Sequence, residues 1–96
     1  MKVAVSINEE GKISSHLGKA KIFYVFEKIN EKVKFLQKRT TEGNHTNHII
    51  EDIKDCDVII SGKIGDGMFE NLKKNGIKPI VEENISNPKE AVEKLV

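Results

Sequence analysis

Apolar positions along this chain fall into short dense runs and into wider, helix-like spacings, and the two patterns separate strands from helices. Val3, Val5 and Ile7, with Ala4 between them, form a nearly continuous apolar run rich in β-branched residues, the mark of a strand covered on both faces. The turn-rich Asn8-Glu9-Glu10-Gly11 ends it. The polar stretch through Lys21 carries neither period, so residues 8–21 read as a long loop, a kind of segment that in small domains usually serves function. Residues 22–26 and 33–36, on either side of the polar pair Asn30-Glu31, read as a hairpin. Its second strand reaches to about Arg39 with charges interspersed, which suits an exposed edge, and polar residues 40–47 form a second loop.

Ile49, Ile50, Ile53 and Cys56 stand at i, i+1, i+4 and i+7 and predict a helix with one apolar face, with Thr46 or Asn47 as its N-cap. Residues 57–61 predict another doubly covered strand. Residues 62–67 turn into a second helix, where Asp66 is placed to cap, Met68, Phe69 and Leu72 face inward and Gly76 supplies the stop. Residues 77–81 make the last strand, and Pro79, lacking a ladder donor, puts it at an edge. Asn87, Pro88 and Glu90 supply a cap, a first-turn proline and a capping-box partner for a third helix with the stripe Ala91, Val92, Leu95 and Val96.

The order β-β-β-α-β-α-β-α combines an antiparallel meander with right-handed crossovers, giving an α/β fold with a five-stranded mixed sheet in the order 3-2-1-4-5 and only the second strand reversed. Four loops then open at one rim: 8–21, 40–48, 62–67 and 82–87. The first and fourth strands are neighbours whose connections diverge, the place where open α/β sheets form a crevice beyond their strand ends.

Composition narrows the function classes. At 96 residues, 38% apolar and 32% charged, the chain has the size of one domain, 1–96. Its 16 basic and 15 acidic residues leave no net field for a polyanion, and no basic-aromatic stripe is present, so no nucleic-acid partner is expected. Neither a signal-peptide apolar region nor a bilayer-length apolar run occurs, which predicts a cytoplasmic protein with no membrane partner. The single cysteine, Cys56, ends an apolar helical stripe and reads as a packing residue.

The chemistry-bearing residues gather on the rim loops. His16 lies in the first, and His45 and His48 in the second; neutral imidazole is a common transition-metal ligand, and three such nitrogens could hold iron or zinc, although spacing alone favours solvated loop histidines over a closed mononuclear site. Gly62-Lys63-Ile64-Gly65-Asp66-Gly67 leads from strand to helix, a geometry whose backbone N–H groups can hold an anion or simply form a capped turn. It lacks the ending of a P-loop and the full dinucleotide fingerprint. No Ser or Cys has an adjacent base and orienter, so catalysis is not expected. A regulatory or adaptor module binding an anionic metabolite or a protein at the rim is the alternative function these residues allow.

Ser15-His16-Leu17-Gly18-Lys19-Ala20, directly after the first strand, resembles the Ser-His-Phe-Gly-x-Ala signature of the nitrogenase iron-molybdenum cofactor biosynthesis family, of the NifX, NafY and NifB C-terminal-domain type. The stretch Cys56-Asp57-Val58-Ile59-Ile60-Ser61-Gly62-Lys63-Ile64-Gly65 is similar to the family's Cys-Asp-Val-x-Ile-x-Gly-Gly-x-Gly, and Leu72 to Ile77 to its Leu-x-x-x-Gly-Ile. The resemblance covers nearly the whole chain. It implies a ribonuclease H-like three-layer α/β/α fold and a non-catalytic carrier of an iron-sulfur cluster or iron-molybdenum cofactor precursor, exchanged with metallocluster donor and acceptor proteins. It also implies His16 as the metal ligand, with Ser15, Gly18, His45, His48, Gly62 and Gly65 lining the cofactor-binding site. Leu17 replaces the motif's aromatic residue and Lys63 its second glycine, while Gly43, His45 and His48 stand for a loop usually richer in glycine. The nuclease chemistry of ribonuclease H-like folds needs clustered carboxylates to hold two metal ions, beginning with an acid on the first strand, where this chain has Ser6 and Asn8.

Overall fold

The computed structural model describes residues 1–41 and 46–95, with only the backbone described for 46–48. Its elements run β1 (Lys2–Ile7), β2 (Ile22–Ile29), β3 (Lys32–Thr40), α1 (Thr46–Asp52), β4 (Val58–Ser61), α2 (Asp66–Lys74), β5 (Lys78–Val81) and α3 (Pro88–Glu93), with a 3₁₀ turn at Leu17–Lys19. The strands form one sheet in the order β3-β2-β1-β4-β5. β1 pairs antiparallel with β2 and parallel with β4, β2 antiparallel with β3, and β4 parallel with β5, so β2 alone is reversed. This is the expected order, with Pro79 in one edge strand and the lysines of β3 in the other.

Alternation along the strands divides the core in two. On one face Ala4, Phe23, Val25 and Ile59 pack with Ile49 and Ile50 of α1, Ile53 just beyond it, and Met68 and Leu72 of α2. On the other, Val3, Val5, Ile7, Phe26, Val58 and Ile60 pack with Ala91 and Val92 of α3. The sheet is therefore the middle of three layers, and its strands are apolar on both sides because both sides are covered.

Local chemistry explains the boundaries. Asn30, at φ 57°, turns the two-residue β2–β3 loop, a left-handed position that asparagine tolerates. β3 carries an extra residue, Leu36, because Gln37 pairs with Val25 while Phe35 pairs with Phe26. Gly76, at φ 77°, ends α2: Ile77 N–H donates to Leu72 O at 2.9 Å and Gly76 N–H to Lys73 O at 3.1 Å, and the left-handed conformation is cheap only for glycine. Asn87 caps α3 by accepting from Glu90 N–H at 3.1 Å, with Pro88 in the first turn.

Two expectations are corrected. Gly65, not Asp66, is the N-cap of α2; Asp66 is already helical, where its carboxylate faces the positive end of the helix dipole instead of bonding a cap N–H. The cap expected of Thr46 or Asn47 lies outside the described side chains. Ile53 and Cys56 lie past the end of α1 yet stay buried, because the turn that follows continues the same apolar face. The predicted Val96 of the α3 stripe lies outside the described residues.

Residues 8–21 are a connection, as expected, but a tightly held one. Asn8 Oδ1 accepts from Glu10 and Lys12 N–H at 2.9 and 3.0 Å, Ile13 bridges to Ile7, and Ser14 N–H donates to Ser6 O at 2.8 Å. Leu17 is fully buried and Ala20 nearly so, pinning the loop into the α1–α2 face of the core.

Candidate functional site

Because β1, β3, β4 and β5 run the same way, the loops that leave their ends open at one rim. There the chain after β1 crosses the exit of β4. Gly62 N–H donates to Ser14 O at 2.9 Å, Lys63 N–H to Ser15 O at 2.7 Å, and Leu17 N–H to Lys63 O at 3.0 Å, so His16 and Lys63 pair as a parallel bridge. Three main-chain bonds strap the Ser15-His16 segment to the strand exit. A methyl group on Gly62 would lie 2.5 Å from Ser15 O and 2.7 Å from Ser14 O, which makes glycine obligatory at the crossing.

This changes the role expected of Gly62. Its N–H is spent on Ser14 O, so Gly62 carries the histidine segment and does not offer an amide to a ligand. Gly65 is exposed at the start of α2, where Phe69 N–H makes the first ladder bond, to Gly65 O at 2.9 Å. The amides of Asp66, Gly67 and Met68 precede that ladder and open towards the rim. Gly18 lies exposed in the 3₁₀ turn, and a side chain at Gly18 or Gly65 would meet nothing within 4 Å.

Ser15 and His16 are exposed, whereas Leu17, the next residue, is fully buried. The segment thus has an inward anchor and an outward imidazole. Ser14 adds a brace: its Oγ donates to His16 O at 2.9 Å and accepts from His16 N–H at 3.4 Å. Sequence reasoning missed Ser14, although serine two residues before another backbone group is the signature of such a local turn. Below the crossing, Ser6 Oγ donates to Ser61 Oγ at 2.7 Å, both residues fully buried, so the hydroxyls at the ends of β1 and β4 satisfy one another.

His45 lies outside the described residues. His48 belongs to the first turn of α1, and its side chain is likewise outside the description. Among the described residues, no three His, Cys, Asp or Glu side chains are grouped to hold a metal ion. His16 is therefore the one described imidazole at the rim, beside the exposed Lys63.

Cys56 stands at the other end of the sheet, next to the start of β1, where Asp57 N–H donates to Lys2 O and Lys2 N–H to Asp57 Oδ2, each at 2.8 Å. Burial, reinforced by the Asp55 carboxylate, pushes its thiol up to about 11, so it stays protonated and inert. The charges at this base form their own network. Arg39 Nη1 and Nη2 donate to the two Asp55 oxygens at 2.6 and 2.8 Å, and Lys2 Nζ reaches Asp55 Oδ2 at 3.0 Å. The Arg39 hydrogen bonds hold the Asp55 carboxyl well below the usual carboxylate range, and Asp55 in turn raises the Arg39 guanidinium.

Residues 1–96 match the family described as dinitrogenase iron-molybdenum cofactor. The chain belongs to that family. The dinitrogenase iron-molybdenum cofactor family is linked to the biosynthesis of that cofactor: the FeMo cofactor biosynthesis protein NifB of Bradyrhizobium diazoefficiens is 33% identical over 87 residues. That match covers 81% of this chain but only 17% of the NifB protein, so the chain spans about a sixth of that relative's length. Solved structures share the fold of this family member. PH0822 superposes with a TM-score of 0.81 at 20% identity, covering 98% of this chain and 87% of that one. The protein mj0327 from Methanocaldococcus jannaschii gives 0.72 at 21%, covering 97% and 85%.

Proposed function

We propose that this domain is a non-catalytic carrier that holds an iron-sulfur cluster or iron-molybdenum cofactor precursor as cargo at the rim and passes it between donor and acceptor proteins. The observation that carries this reading is the exposed His16 on a segment strapped to Gly62 and Lys63, in a chain of the iron-molybdenum cofactor family. An imidazole held by its backbone and open to solvent on its ring suits a cargo that must arrive and leave: the ligand is fixed in place while the cluster stays accessible. Lys63 supplies a cation beside it for an anionic cluster, and the leading amides of α2 face the same side. Ser15 and Gly18 flank the ligand, while His45 and His48 complete the cofactor-binding set in this reading.

The carrier works as a single ribonuclease H-like domain over residues 1–96, in the cytoplasm, and turns over no substrate. Ser6, bonded to Ser61, stands on the first strand, where two-metal hydrolysis would need a carboxylate. Anaerobic titration with an iron-sulfur donor tests the proposal. Visible charge-transfer absorption is expected to develop with the wild-type chain, and the apparent affinity should fall at least about tenfold in His16→Ala, since loss of a ligand's supporting partner alone costs that much. Unchanged absorption in that variant removes His16 from the site, and metal-dependent phosphoester hydrolysis by the purified chain overturns the carrier reading.

A further inference from the structure

Among the described residues, one long border of the sheet is unpaired. β3, the nine-residue strand Lys32–Thr40, pairs with β2 on one side and ends the strand order, and no described strand meets its outer row of N–H and C=O groups. Apolar side chains are exposed along it: Phe35 is 50% exposed and Leu36 38%. Phe35 is nonetheless held in place, edge-on to Tyr24 and Phe26 at 5.5 and 5.6 Å between ring centroids. A fixed, half-exposed aromatic ring loses little freedom when a partner covers it.

Charge narrows the choice of partner. Lys32, Lys34 and Lys38 are exposed on this strand, and none enters an ion pair among the described residues, whereas Arg39 is committed to Asp55. The extra residue at Leu36 places Lys34, opposite Glu27, on the α1–α2 face, and Lys38, opposite Tyr24, on the α3 face. A second copy is therefore a poor occupant. Antiparallel partners share a face of the sheet, so pairing centred on Val33 sets Lys32 against Lys34 twice, and pairing centred on Lys34 or Lys38 sets that lysine against itself, all repulsive. A strand bearing acidic residues on both faces meets the same lysines favourably.

We propose that the β3 border docks an extended, acidic segment of a partner protein, which adds to the sheet as a sixth strand with an apolar residue against Phe35. β3 ends at the rim, so a segment docked there lies beside the cargo site; that this partner is the cargo's donor or acceptor rests on the carrier reading above, while the docking itself does not.

The probe is a ten-residue peptide in which glutamates and valines alternate in pairs, so that both faces of the added strand carry carboxylates, titrated into the isotope-labelled full chain, with the lysine-for-glutamate peptide as counterpart. Amide shifts and slowed hydrogen exchange are expected within residues 32–40 for the glutamate peptide, lost at high salt. The double variant Lys34→Glu with Lys38→Glu should weaken binding by about fivefold or more, as removal of exposed charge pairs does. Both lysines are exposed, and Lys34→Glu faces Glu27 of β2, so urea unfolding should show the folding constant down by no more than about fivefold, which is about 1 kcal/mol, with the fold kept. His16→Ala should bind the peptide normally, which separates failure of docking from failure of the carrier reading. The proposal is overturned if the lysine peptide binds as well, if the glutamate peptide leaves residues 32–40 unperturbed at millimolar concentration, or if sedimentation shows a dimer in which residues 32–40 are protected from exchange without the peptide.

Discussion

Replacing Gly62 by alanine puts a methyl carbon 2.5 Å from Ser15 O and 2.7 Å from Ser14 O, far inside contact distance of two main-chain atoms. The backbone must separate. Overpacking of this kind costs about 1–3 kcal/mol, and weakening of the Gly62–Ser14 and Lys63–Ser15 hydrogen bonds adds about 0.5–1.5 kcal/mol each. Some of the strain is relieved as those bonds stretch, so the combined cost is about 2–4 kcal/mol, a large part of the stability of a domain this size. Urea unfolding followed by circular dichroism should show the midpoint falling by roughly 1–3 M. Hydrogen exchange adds a local readout, because the Leu17 amide, which donates to Lys63 O at 3.0 Å, should lose protection ahead of the core strands. Gly18→Ala is the matched control: it alters a glycine of the same histidine loop, but the new methyl meets nothing within 4 Å, and the change should stay within about 0.5 kcal/mol. If Gly62→Ala unfolds within about 0.5 kcal/mol of wild type, or leaves Leu17 equally protected, the crossing does not hold the loop as argued.

Two predictions concern the base of the sheet. Asp55 titrates below an ordinary carboxyl in the folded chain, so its stabilisation is present above the unfolded value, roughly pH 4, and is lost as pH falls through the lower folded one. The carboxylate is half-exposed, which limits the effect to about 1 kcal/mol after screening. Asp55→Asn should therefore have a lower urea midpoint than wild type near neutrality, and the two midpoints should converge on acidification; a constant gap refutes the linkage. Cys56, with its thiol pushed up to about 11, should alkylate slowly in the native chain at about pH 8 and quickly in urea. Rapid native labelling would place the thiol nearer to solvent than its burial allows.

Much of the architecture was legible because burial on both faces leaves a strong trace: the runs at 3–7 and 57–61 could be central strands and little else, and Pro79 and the β3 lysines marked the two edges. What stayed hidden depends on contacts between distant positions. Ile13 and Leu17 are isolated apolar residues in a polar stretch, with no period to announce that they enter the core. The extra residue at Leu36 exists only in the register against β2, and the Arg39–Asp55 pairing joins residues whose separation obeys no local rule. The rim itself followed from strand order alone, which brought His16 and Gly62 to one border. The function of Gly62 did not follow, since a glycine before a helix looks the same whether it frees an amide for a ligand or makes room for a crossing chain. Asp66 misled for a related reason: aspartate is as favourable in the first turn as at the cap, and the sequence does not distinguish the two.

The separation of the Asp55 network from the histidine crossing has a practical side. Lys54 is exposed beside Asp55, and the strands between the two borders span about 20 Å at roughly 3.3 Å per residue. A linker attached through Lys54 would fasten the molecule to a bead or an electrode with its histidine border facing the liquid. Loading and unloading could then be followed on an oriented layer, without the support competing for the face under study.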